Sequence, residues 1–119
     1  MDGRIALGTP TIPLSPDVRA AYKALYAKNE AALEATNDFD LTKALNASQL
    51  DIGNLLQADD AYRIQADDAQ FQAVLTQLNT TNEGLKALQK KISGITGGIS
   101  TIGAVAGAIN DVLKLVPGI

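Results

Sequence analysis

Cysteine, histidine and tryptophan are missing from this 119-residue chain, and aromatic rings are confined to Tyr22, Tyr26, Phe39, Tyr62 and Phe71. Without cysteine there is no disulfide framework and no thiolate chemistry, and the redox compartment leaves no trace. Without histidine the commonest general base is gone, together with most zinc and copper sites. Proline is absent from residue 17 to residue 116, so nothing in that span forbids helix. The N-terminus has an acidic second residue and no apolar run long enough for a Sec-type signal peptide, which leaves a cytoplasmic location or export by a signal-independent route as the expectation. The 10 basic residues are scattered and outnumbered by 13 acidic ones, so no nucleic-acid partner is expected.

What is present is aliphatic. Apolar residues make up 46% of the chain, almost all of them Ala, Leu, Ile and Val, a palette that suits helix packing. The length is that of a single domain. Pro10, Pro13 and Pro16 predict an extended arm over residues 1–14. Ser15 followed by Pro16 and Asp17 reads as an N-cap, a first-position proline and an acid at the positive end of the helix dipole. A helix is therefore expected over about 16–36, with Val18, Tyr22, Leu25, Ala32 and Leu33 on its apolar side. Asp38 or Asp40 can cap a second helix, expected to run over about 40–78 through Leu41, Leu45, Ile52, Leu55, Leu56, Tyr62, Ile64, Phe71, Val74, Leu75 and Leu78. The run of poor helix formers "NTTNEG", residues 79–84, predicts a turn about residues 80 and 81. A third helix over about 82–116 follows, stopped by Pro117.

A heptad seam runs through this region. From Phe71 the apolar positions continue as Val74, Leu78, past Thr81 to Leu85, Leu88, Ile92, Ile95, Ile99, Ile102, Ala106, Ile109, Leu113 and Val116, in alternating steps of three and four. Its phase passes unbroken through residues 79–84, so one continuous helix there competes with the turn. The expected fold is all-α: an elongated bundle of three helices, or four if the chain breaks again, built on a long antiparallel hairpin with an N-terminal arm. Residues 15–119 form its single domain. A first helix too short to cover a three-helix pair would leave apolar surface bare near residue 80.

Residues 92–110, "ISGITGGISTIGAVAGAIN", carry no charge and five glycines. The length suits a membrane span but the hydropathy does not, because glycine, serine, threonine and asparagine offset the isoleucines. Each glycine costs about 1 kcal/mol against alanine inside a helix, so the GxxxG spacings Gly94–Gly98 and Gly103–Gly107 predict close helix contact. Ser93, Thr96, Ser100 and Thr101 are expected on the polar side, and Gly97 and Gly98 opposite Ile64 and near Tyr62. In composition the stretch resembles the inserting helices of α-helical pore-forming toxins and translocators, which implies membrane insertion on a trigger.

The sequence "QADDAYRIQADDA", residues 57–69, repeats QADDA with a period of eight. A helix spreads Asp59, Asp60, Asp67 and Asp68 over more than one face, so a solvated ion-pair surface around Arg63 is expected and a metal site is not. Lys86, Lys90 and Lys91 form a small basic patch expected to solvate a hairpin tip. No nucleophile motif or phosphate loop stands out, so no enzyme and no cofactor are expected. The reading that follows is a non-catalytic helical module that self-associates or binds a partner helix. Its seam would be Leu85, Leu88, Ile92, Ile95, Ile99, Ile102, Ile109 and Leu113, and its close-contact glycines Gly94, Gly98, Gly103 and Gly107. Trigger-dependent membrane insertion of the C-terminal helix is the alternative.

Overall fold

Local signals set each helix start. The Ser15 Oγ accepts from the Val18 N–H, Pro16 takes the first helical position, and α1 runs over Pro16–Ala35. The Asp38 carboxylate accepts from the Leu41 N–H and opens α2, Phe39–Ile64. Asp67 does the same for the Gln70 N–H at the head of α3, Asp68–Ser93, and α4 spans Ser100–Leu115. These come from a computed structural model that describes residues 12–94 and 100–115. Among the described residues there are four helices and no strand. The all-α bundle expected from composition and periodicity is what forms, in its four-helix version.

The two inner boundaries differ from the sequence reading. The second helix ends at Ile64, where a three-residue link, Gln65 to Asp67, replaces the expected run to residue 78. The cause is the second QADDA: Asp67 leaves the helix to cap α3, and the Gln65 amide donates to its carboxylate at 2.8 Å. Residues 79–84 then lie in the middle of α3 and form no turn. Here tertiary contacts override weak propensity. Thr81 and Asn82 are buried, the Thr81 hydroxyl donates to the Asp51 carbonyl at 3.1 Å, and a Cβ on Gly84 would stand 3.0 Å from the Asp51 carboxylate. The region expected as one helix over 82–116 is two, α3 and α4. Ile95, Thr96, Gly97, Gly98, Ile99 and Val116, and the arm up to residue 11, lie outside the described residues.

The four helices form a ring: α1 packs against α2 and α4, and α3 packs against α2 and, more lightly, α4. Overall extents are 47 × 27 × 19 Å. Heptad steps govern the interior of every helix. Buried positions are Tyr22, Leu25, Asn29 and Ala32 in α1, then Leu41, Leu45, Ser48, Ile52, Leu55 and Asp59 in α2. Val74, Leu78, Thr81, Leu85, Leu88 and Ile92 follow in α3, and Ile102, Val105, Ile109 and Val112 in α4. The apolar surface that a three-helix pair would leave bare near residue 80 is covered, since Leu78 and Leu85 are fully buried.

Candidate interaction surface

Polar residues occupy several of these interior heptad positions, and each reaches a different neighbour. The Asn29 amide donates to the Ser48 hydroxyl at 3.0 Å, joining α1 to α2. The Tyr22 hydroxyl crosses from α1 to α3 and donates to the Asn82 carbonyl oxygen at 2.6 Å; burial holds this phenol protonated well above its ordinary range. Among the described residues the Asn29 Oδ1 and the Asn82 Nδ2 have no hydrogen-bond partner.

At the other end of α2 the first QADDA supplies Asp59, whose carboxylate is inaccessible to solvent. It accepts from the Leu14 N–H at 2.8 Å, the Arg19 guanidinium at 2.6 Å and the Arg63 Nε at 3.0 Å, while the Arg63 guanidinium also donates to the Leu14 carbonyl. Asp60, more than half exposed, adds a second ion pair to Arg19 at 3.1 Å. This corrects the expectation of a solvated ion-pair surface: Asp59 is an interior charge matched by two guanidinium groups and a backbone donor, as burial of a carboxylate requires. Pro16, Arg19, Lys23 and Arg63 rim an open recess of about 460 Å³ beside it. Two of its three cations are already held by Asp59 and Asp60. No group of His, Cys, Asp or Glu side chains among the described residues could hold a metal ion.

The described members of the expected seam are spent inside the chain. Leu85, Leu88, Ile92, Ile102 and Ile109 are buried in the bundle's own core and Leu113 is half-buried against it. Within α4 the buried register is 102, 105, 109 and 112, shifted from the expected 102, 106, 109 and 113. The chain leaves α3 after Ser93 and begins a separate helix, so the phase need not carry over. The glycine expectation changes as well. Gly103 and Gly107 face open space, with nothing within 4 Å of a Cβ at either, and Gly94 caps α3; none of them is a close contact between helices. Gly98 lies outside the described residues. Thr101, expected on the polar side, is half-buried, with its hydroxyl oxygen enclosed. No helix among the described residues is long and apolar enough to cross a membrane.

A different surface carries unburied apolar side chains. Phe39, Leu50 and Ile64 are 74, 65 and 87% exposed, and all three belong to α2. They are separated by eleven and fourteen residues, about three and four helical turns, which stacks them along one line on the side away from the core. Asn46, Gln57 and Lys43 lie on the same exposed side, with the Lys43 ammonium 5.8 Å from the centre of the Phe39 ring. The sequence reading missed this stripe. Core leucines fill the opposite side of α2, so the helix is apolar on two sides and lacks the single-sided pattern that identifies a surface helix. The eleven and fourteen spacings were the available signal. Compared with models of protein families, with curated proteins and with solved structures, the chain matches none.

Proposed function

We propose that the protein is a non-catalytic helical interaction module, and that it binds through the outer face of α2. The observation that carries this reading is the alignment of Phe39, Leu50 and Ile64 on one exposed line. Exposed apolar side chains scattered singly are ordinary, but a row of large ones along one helix, with two amides and a single lysine between them, is the composition of a surface that another protein covers. The described members of the seam first expected to bind are engaged in the core, so docking through them would require the bundle to open. Insertion of α4 into a membrane has the same requirement, because Ile102, Val105, Ile109 and Val112 are packed inside.

The reading makes a stability prediction. If the stripe serves binding, the triple variant Phe39→Ser, Leu50→Gln, Ile64→Gln loses no core contact. Its thermal midpoint then matches that of the unsubstituted chain within a few degrees, as surface changes do. A drop comparable to that of Leu45→Ala, a buried control for which about 2–5 kcal/mol is expected, would place the stripe in the fold and overturn the reading.

A further inference from the structure

We infer that the occupant of the α2 face is a second copy of this chain, lying antiparallel across it about a two-fold axis. The inference rests on the interaction-module reading and adds the partner's identity and orientation.

Three features of the stripe point to self-pairing. First, its large apolar residues are nearly symmetric about the middle of the helix: Phe39 and Ile64 lie at the two ends of α2 and Leu50 lies close to the centre. A two-fold axis midway between residues 51 and 52 brings Phe39 level with the partner copy's Ile64, and Ile64 level with its Phe39, the reciprocal pairing of an isologous interface. Second, the same operation sets Leu50 level with Gly53 of the other copy. Gly53 is a helix-interior glycine with nothing within 4 Å of the Cβ position, so no contact within the chain accounts for its missing side chain. An approaching leucine does, because the gap admits it. Third, Lys43 is the charge on the stripe near one end, and Asp60, with an exposed carboxylate, flanks the other. A parallel arrangement would stack Lys43 on Lys43; the antiparallel one holds the two lysines about 25 Å apart and sets each level with Asp60 of the other copy.

The size of the stripe sets the strength. Twenty-six residues span ~39 Å, and at roughly 10 Å of width the stripe covers ~400 Å² per copy. That is about half of a standard interface, so the dimer is weak and dissociates on dilution.

Sedimentation velocity on the full chain, from about 10 µM to about 1 mM, should show the average mass climbing from 12.4 kDa toward twice that value. Leu50→Glu should hold the mass at 12.4 kDa throughout while leaving the thermal midpoint unchanged. Orientation is read by cross-linking, which the absence of native cysteine makes clean. Antiparallel pairing places the two Leu50 Cα atoms about 6–7 Å apart, within disulfide reach, and the two Phe39 Cα atoms about 37 Å apart. Leu50→Cys should therefore oxidise to a covalent dimer. Phe39→Cys alone should not, and Phe39→Cys mixed with Ile64→Cys should. Faster self-linking of Phe39→Cys than of the mixture would overturn the antiparallel arrangement. A chain that stays monomeric at 1 mM would overturn the dimer. In that event a fully stable triple variant would still leave the α2 face as a docking surface for another protein, whereas a destabilised one would remove the module reading itself.

Discussion

Tyr22 and Asn82 illustrate how an interior polar pair acts. The phenol has a partner only because Asn82 is present, and the Asn82 oxygen has one only because the phenol is. Tyr22→Phe leaves that oxygen enclosed and unpaired, a loss of about 1–3 kcal/mol. Replacing both, Tyr22→Phe with Asn82→Leu, removes donor and acceptor together and should restore much of the loss. Denaturant unfolding of the two singles and the double closes the cycle, and additive losses would mean that the pair contributes nothing as a pair. Asp59 belongs to the same class of residue. It and Asp67 occupy the same place in two copies of QADDA, yet one is buried among guanidinium groups and the other caps a helix in solvent. The five letters are identical; helix ends and neighbours decide what each carboxylate does.

At the level of the element, the sequence made helix identity legible and helix boundaries only in part. Ser15, Pro16 and Asp38 are signals confined to a few residues, and they mark true starts. The "NTTNEG" stretch misleads because its residues are chosen for contacts across the bundle, to Asp51 and Tyr22, which no local pattern reveals. The continuous seam through it was the better guide. Near Gln65 the reverse holds, since the apolar rhythm continues past a real break that Asp67 imposes by capping. The α2 stripe was hidden for a related reason: its apolar residues recur over three and four turns, too far apart to register beside the tightly spaced core set. In α4, Gly103 and Gly107 face open space, so nothing near them offsets the flexibility they confer on the unfolded chain. Gly103→Ala and Gly107→Ala should each raise stability by about 0.5–1 kcal/mol, measured by thermal melts. A loss at either site would reveal a neighbour pressed against that surface.

For the whole molecule, acidity brings two carboxylates into opposition. Hydrogen bonds from the Gln70 N–H, then from the Gln65 amide, hold Asp67 below its ordinary range, whereas desolvation pushes Asp51 up. A depressed carboxyl stabilises the fold above its unfolded value of about 3.8 and loses that contribution as pH falls through the folded value. A raised carboxyl acts the other way. The Asp51 charge weakens the fold at neutral pH, and protonation relieves this as pH falls through its raised value. Asp51→Asn should accordingly melt higher than the unsubstituted chain at pH 7, and the two curves should converge as pH drops below about 3.8. A variant that melts lower at pH 7 would mean the carboxylate is doing something other than suffering burial.

The polar positions distributed through the heptads also act as an address system. Four helices built from leucine, isoleucine and valine at one spacing could be assembled in several orders and slid past one another by a turn, with little change in apolar area. The polar matches differ from joint to joint: Asn29 with Ser48, Tyr22 with Asn82, Thr81 with the Asp51 backbone, Asp59 with Arg19. A slip of one turn strands a different group each time, and the Asn29 Oδ1 and Asn82 Nδ2, without partners among the described residues, mark how narrow the tolerance already is. Recognition between helices is thus written in the interior, where it selects one assembly of the chain out of several that apolar burial alone would allow.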